Sequence, residues 1–198
     1  MIYATERDLE RVGARREEYQ EEVAEIGGRL KFLDEAGSTI SMTRLYGRAV
    51  RGERIYEPTP QNYGENITML ACLSANGISA PMTVAGAVDG LVFLEYVKQV
   101  LAPTLLTGDV VIMDNLGAHK VKGVGEAIAA RGARVIYLPP YSPDLNPIEK
   151  CWSKIKIYLR AAKARTRQAL EEALKQVLLS VTESDARGWF ASCGYPVY

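Results

Sequence analysis

The chain predicts an α/β fold, a mixed five-stranded sheet with helices on both faces. Three observations carry this expectation. Short β-rich runs separated by Gly, Ser and Asn turn signals fill residues 30–77. Two short apolar runs, VVIMD (110–114) and ARVIYLPP (133–140), suit strands covered on both faces. The segments between and after them carry a helical apolar period. Hairpin strands followed by alternating helix and strand pack as one sheet clothed by helices.

Each element has its own signal. Residues 5–26 read as a helix with a thin apolar stripe of Leu9, Val12, Tyr19, Val23 and Ile26, stopped by Gly27-Gly28. So narrow a stripe suits a helix that packs on, or links to, something else. LKFLDE (30–35), RLYGRAV (44–50) and ENITMLACLSANG (65–77) form an antiparallel meander with turns at Gly37-Ser38 and Asn76-Gly77. LVFLEYVKQVLAPTL (91–105) places Phe93, Tyr96, Val97, Val100 and Leu101 on one helical face. After the strand at 110–114, residues 121–132 form a short helix closed by Gly132, and the strand at 133–140 follows. Helices over 148–165 and 166–181 complete the order.

Composition narrows the classes. In 198 residues, 47% hydrophobic and 24% charged content is that of a globular domain rather than a disordered chain. No apolar run approaches the ~20 residues of a membrane span. The N-terminus lacks the apolar stretch of a signal peptide, so no membrane partner is expected. Three cysteines without a C-x-x-C pair indicate neither a disulfide framework nor a thiolate zinc site, and a reducing, cytoplasmic setting is expected. The single histidine, His119, excludes any site needing two.

The 24 basic and 24 acidic residues cancel, but not locally. Residues 1–26 carry net −4, 27–149 net −1 and 150–198 net +5. Positions 150–167 hold seven basic residues (among them Lys150, Lys154, Lys156, Arg160 and Lys163) and no acid. Exposed helices usually mix signs, so a one-sign run points to phosphates. Arg44, Arg48, Arg51 and Arg54 form a second basic patch, balanced between DNA contact and solubility.

Asp34 and Asp114 each end an apolar strand (KFLD, VVIMD). Functional groups of α/β sheets collect at the carboxyl ends of strands. Two carboxylates brought together there repel unless a cation lies between them, which is magnesium-type chemistry with hard oxygen ligands. A third ligand is offered by YSPDLNPIEKCW, as Asp144 or Glu149. Asn146 reads as an N-cap, Pro147 as the first helical residue and Glu149 as the third, so Glu149 also suits a capping box. Asp144 suits a plain Ser-Pro-Asp turn. Alternation sends Glu35 to the face opposite Asp34, giving it a structural reading. Asn115 and His119 are placed to touch a phosphate or to hold Asp114. For His119 a supporting role is favoured over direct chemistry.

FLDEAG, VVIMDNLGAHK and LPPYSPDLNPIEKCW resemble the catalytic domain of bacterial insertion-sequence transposases of the mariner-type superfamily. These belong to the wider Asp-Asp-Glu group with an RNase H-like fold, alongside retroviral integrases. The most specific mark is the spacing, 34 residues between Asp114 and Glu149, ending in SPDLNPIE. YGRAVRG (46–52) and GWFASCGY (188–195) also look like that family, and the resemblance covers about residues 28–195. It implies a charged helix or linker over 1–27 and an RNase H-like catalytic domain over 28–198.

The resemblance further implies that Asp34, Asp114 and Glu149 are the catalytic, metal-binding triad. Asp34 would bridge two Mg²⁺ ions, with Mn²⁺ able to substitute. The implied function is phosphodiester cleavage and strand transfer in cut-and-paste movement of an insertion sequence. Double-stranded DNA would be the partner, as transposon ends and a TA target, in the bacterial nucleoid. A homodimer or oligomer is expected. Family members carry a helix-turn-helix region that reads the transposon ends, and here only the charged helix precedes the first strand. A separate helix-turn-helix partner chain would supply that reading. An inert remnant, or a regulatory DNA-binding or oligomerisation module, is the alternative. A haloacid-dehalogenase-type phosphatase needs a second Asp two residues after Asp34, where this chain has Ala36.

Overall fold

A computed structural model describes residues 4–26, 29–62 and 64–196. Five strands form one sheet: β1 (Leu30–Thr39), β2 (Asn66–Ser74), β3 (Gly77–Ala85), β4 (Val110–Met113) and β5 (Arg134–Tyr137), in the order β3-β2-β1-β4-β5. β1–β2 and β2–β3 are antiparallel, and β1–β4 and β4–β5 are parallel. The helices are α1 (Glu10–Ala24), α2 (Gly90–Tyr96), α3 (Val124–Ala129), α4 (Pro147–Ala162), α5 (Arg167–Leu179) and α6 (Glu183–Ser192). The predicted mixed sheet is therefore the observed architecture.

Alternation along the strands divides the core in two. Leu30, Phe32, Ala36, Val110 and Ile112 pack with residues of α1, α4, α5 and α6. Leu33, Val111 and Met113 pack on the other face with Phe93, Tyr96, Val124 and Ile128. Helix α4 is the main cover of the first face. Ile148, Cys151, Trp152, Ile155 and Leu159 recur at helical spacing and all are buried. All three cysteines are buried free thiols.

Four expectations about the elements are corrected. Residues 44–50 are not a strand. They lie in an irregular, exposed segment between β1 and β2, with Leu45, Tyr46 and Val50 open to solvent. The fifth strand is instead β3, masked in the sequence by Pro81. That proline is tolerated because β3 is an edge strand, next to a bulge where Ala80 takes φ 51°. Gly37-Ser38 is not a turn, and Asp34 does not end its strand but sits within it opposite Ala71, because β1 runs on to Thr39 paired with β2. At Gly37 the missing Cβ admits the Asn66 side chain, whose Oδ1 would lie 3.1 Å from it.

Other bounds shift less. The helix expected at 91–105 is α2 continued by a π-helical turn (Val97–Leu101) and a 3₁₀ turn (Ala102–Thr104). α6 is a separate helix with a Thr182–Asp185 capping box. The Gly27-Gly28 stop lies outside the described residues.

α1 joins the first core through Tyr19 and Val23. Tyr19 is fully buried, and its hydroxyl pairs with that of Tyr195 at 2.8 Å. Tyr195 in turn donates to the Leu145 carbonyl at 2.6 Å. Tyr19→Phe is expected to cost about 1 kcal/mol, one hydrogen bond, and Tyr19→Ala about 3–5 kcal/mol through the cavity left behind. Denaturant unfolding reads both. Equal costs for the two variants would mean that α1 is not packed as described.

Candidate active site

The register of β1 on β4 positions the first two carboxylates. Leu30 pairs with Val110 and Phe32 with Ile112. Carried two residues further, this register sets Asp34 level with Asp114, at the end of β4 where the chain leaves the sheet. After β5 the segment Leu138–Asn146 crosses to the α4 face, and Glu149 falls in the first turn of α4. Asp34, Asp114, Asn115, Asn146 and Glu149 line one cleft of about 610 Å³, with Pro139, Pro140 and Tyr141 on its wall. The triad expected from the sequence thus opens into one space.

The three carboxyl groups sit in different surroundings. Asp34 is buried, and its Oδ1 accepts from the Glu35 amide at 2.8 Å. Burial first, and then the Glu149 charge, push its carboxyl up to about 7, with Asp114 and Glu35 adding to the effect. Asp114 is half-exposed, and its Oδ1 accepts from the Leu116 amide at 2.9 Å. Burial raises its pKa, but the His119 contact and the Leu116 amide outweigh this and hold it below the ordinary value. Glu149 is exposed and, among the described residues, its side chain has no hydrogen-bond or ion-pair partner. The capping box available to it is not formed: Asn146 stands at the N-cap, but its side chain makes no capping bond. The Asn146 amide donates instead to Asp34 Oδ2 at 3.3 Å, while its Oδ1 is buried without a partner.

Asp144, the other candidate for third ligand, is committed elsewhere. Arg16 and Arg7 both bond its carboxylate, and it does not line the cleft. Asn115 ties the end of β4 to the end of β5: its amide donates to the Leu138 carbonyl and its Oδ1 accepts from Lys120 at 2.8 Å.

His119 is fully buried against Phe93, with ring centroids 4.3 Å apart. Its Nε2 lies 2.9 Å from Glu35 Oε2. Its Nδ1 lies 2.6 Å from Asp114 Oδ1, off the axis of a good hydrogen bond, so this contact is mainly one of charge. Burial disfavours the imidazolium, but the two carboxylates prevail and push His119 up to about 9. Glu35, read from the sequence as structural, is thus linked through a cationic His119 to Asp114. Only its parity in β1 hinted at this, by sending it away from Asp34.

The donor set fits a hard divalent cation. Three carboxylates share the cleft, and the buried one is held away from ionisation by its burial first and then by its neighbours' charges. Among the described residues no three of His, Cys, Asp and Glu lie close enough together to hold one ion. The residues therefore suit ions held by one or two carboxylates and completed by water or phosphate oxygens, as Mg²⁺ is bound.

Parts of the expected basic stripe are spent inside the fold. Lys154 Nζ lies 2.6 Å from Asp185, Lys163 pairs with Glu57, and Arg165 donates to the Ile40 and Met42 carbonyls. Lys150, Lys156 and Arg160 have no ion pair among the described residues, and Arg48 and Arg51 are exposed.

A family model described as DDE superfamily endonuclease matches residues 29–171. The transposable element Tcb1 transposase of Caenorhabditis briggsae is 27% identical over 135 residues, covering 64% of this chain and 50% of that protein. The Tcb2 transposase of the same organism is 23% identical over 130 residues, covering 64% and 48%. The chain spans about half the length of these curated relatives.

Among solved structures, a Mos1 transposase paired-end complex with the left transposon end aligns with TM-score 0.77 at 14% identity, covering 97% of this chain and 60% of that one. A mariner Mos1 paired-end complex with Mg aligns with TM-score 0.67 at 15% identity, covering 96% and 59%. The isolated catalytic domain of Mos1 mariner transposase aligns with TM-score 0.61 at 14% identity, covering 100% and 98%. These alignments show the RNase H-like fold.

Asp34 has a folded pKa above its unfolded value, so the metal-free protein takes up a proton on folding as pH falls through about 7. Its stability should rise as pH is lowered from 8 towards 6. Asp34→Asn should remove most of that rise and raise the metal-free Tm at pH 8 by at least about 3 °C. A Tm at pH 8 equal to or below wild type would contradict the crowding of carboxylates described above.

Proposed function

The chain belongs to the DDE superfamily of endonucleases, and we propose that it is the catalytic domain of a mariner-type DNA transposase that cuts transposon DNA and joins it to a target. The observation that carries this reading is that Asp34, Asp114 and Glu149 line one cleft. The relatives are transposases of transposable elements, and the structural neighbours include paired-end complexes with transposon DNA. The motif LPPYSPDLNPIEKCW supports placing the chain in a bacterial insertion sequence, acting at the nucleoid. No described helix is long and apolar enough to cross a membrane.

Asp34, Asp114 and Glu149 would hold the divalent ions; neighbours solved with Mg and with Mn support this choice of metal. When bound, such ions supply an activated water or 3′-OH and stabilise the leaving oxygen of an in-line displacement. The residues of this chain do the positioning. His119 and the Leu116 amide keep Asp114 ionised and oriented. Asn146 holds one oxygen of Asp34, and Asn115 fixes the β4 and β5 ends relative to each other. Pro139 and Pro140 stiffen the wall along which a DNA strand would lie. The two reactions differ in nucleophile: water cuts the strand, and a freed 3′-OH attacks the target, for which a TA site is proposed from the family resemblance.

Lys150, Lys156 and Arg160 on α4 and Arg48 and Arg51 on the exposed segment are the cations proposed to meet DNA phosphates. Lys154 and Lys163 reach DNA only by leaving their ion pairs. Leu45, Tyr46 and Tyr56 on the same segment are well exposed, which supports a second protomer as a further partner. End recognition by a helix-turn-helix region, within a longer protein or on a partner chain, completes the reading.

Asp34→Asn, Asp114→Asn and Glu149→Gln should each lower Mg²⁺-dependent cleavage of transposon-end DNA by about 10³-fold or more, a loss of the order seen when a key electrostatic group is removed. Circular dichroism should remain unchanged. Near-wild-type cleavage by any one of them would remove that residue from the triad, and no cleavage by wild type with Mg²⁺ or Mn²⁺ would favour an inert module.

A separate check is the salt dependence of DNA binding. Each of Lys150→Ala, Lys156→Ala and Arg160→Ala should reduce the slope of log K against log salt by about 1. An unchanged slope in all three would place the DNA elsewhere.

A further inference from the structure

The cleft wall is gripped from outside the stretch matched by the family model, which begins at residue 29. Arg16 of α1 donates from Nη1 to Ser142 Oγ at 2.6 Å and to Asp144 Oδ1 at 3.1 Å, and from Nη2 to Asp144 Oδ2 at 2.8 Å. Its side chain is 14% exposed, so this fork is largely shielded from water. Arg7 adds a 3.1 Å contact to the same carboxylate. One residue further along, Tyr195, itself paired with Tyr19 of α1, bonds the Leu145 carbonyl.

The gripped segment has one 3₁₀ turn, Pro143–Leu145, as its only regular structure. It leaves β5 through Pro139-Pro140, and Tyr141 takes φ 54°, a left-handed conformation that a bulky residue holds only when its surroundings enforce it. Ser142 is buried and donates to the Pro140 carbonyl, closing the turn around Tyr141. Two residues beyond Asp144 is Asn146, whose buried amide meets Asp34. Arg16 thus holds the segment at two points, Ser142 and Asp144, both just before Asn146.

We propose that Arg16 is a positioning residue for the cleft: by fixing Ser142 and Asp144 it sets the Asn146 amide against Asp34, so that α1 is a working part of the catalytic unit. This rests on the reading of the Asp34 cleft given above. A lysine at position 16 supplies the charge without the planar fork and restores the effect only in part. Partners that orient metal-binding side chains typically change metal affinity or activity 10–100-fold when lost.

The test compares Arg16→Ala and Arg16→Lys with Val12→Ala, a buried α1 residue that has no hydrogen bond to the segment. Two readouts are made at a temperature well below every Tm: hydrogen exchange of the Asn146 side-chain amide by NMR without metal, and Mn²⁺ binding by calorimetry. Arg16→Ala should speed Asn146 exchange and weaken Mn²⁺ binding, each by about tenfold or more. Arg16→Lys should fall between it and wild type, and Val12→Ala should match wild type in both. If Arg16→Ala does not fold, Arg16→Lys against Val12→Ala carries the comparison. Asn146 exchange unchanged in the Arg16 variants, or equally fast in Val12→Ala, overturns the proposal. If wild type binds no Mn²⁺ while Asn146 exchange still depends on Arg16, the metal reading of the cleft fails and the positioning role stands.

Discussion

Like-charge crowding at the end of the sheet is the constraint around which this structure is arranged. Asp34 is buried, and Asp114 and Glu149 share its cleft. Left alone, such a set lowers its own energy by protonating, spreading apart or recruiting a cation. The fold blocks spreading. β1 holds the first of the groups, the end of β4 carries the second, and the first turn of α4 carries the third. What is left is a demand for positive charge. Part of it is met within the protein by His119, which lies between Glu35 and Asp114. The remainder faces the open cleft, where divalent ions and a phosphodiester would meet it.

The surrounding structure supports that arrangement without relieving it. Asn146 gives Asp34 one weak donor and leaves its own oxygen unpaired. Asn115 braces the strand ends instead of neutralising a carboxylate. The arginines Arg7 and Arg16 are spent on Asp144, outside the cleft, where they steady the segment and leave the acidic cluster unneutralised. Cations placed one shell back leave the carboxylates available, whereas a lysine or arginine paired directly with Asp34 would have occupied the place proposed for a metal.

Most of the sheet and the meeting of Asp34, Asp114 and Glu149 in one cleft were legible because both follow from short-range pattern. An Asp after an apolar strand run, twice, and a glutamate three residues into a Pro-initiated helix mark themselves in the local sequence, although β1 runs on past Asp34 to Thr39. β3 was not legible, since Pro81 and the left-handed Ala80 break the pattern that marks a strand and only its edge position permits them. RLYGRAV looked like a strand for the opposite reason, having the composition without a partner to pair with. The role of Glu35 depends on His119, 84 residues away, and the spending of Lys154 and Lys163 on Asp185 and Glu57 depends on tertiary proximity. The docking of α1 through Tyr19 and Tyr195 joins positions 176 residues apart. A net +5 in the last segment therefore overstated the cations free to meet DNA.

The central claim is that Asp34, Asp114 and Glu149 together hold divalent metal, and anomalous diffraction from a crystal soaked in Mn²⁺ tests it most directly. The account predicts one or two anomalous peaks in the cleft, about 2.1 Å from carboxylate oxygens, with an oxygen of Asp34 in the coordination sphere of each. Peaks only at other acidic groups, or a cleft without Mn²⁺ at millimolar concentrations and neutral pH, would contradict it.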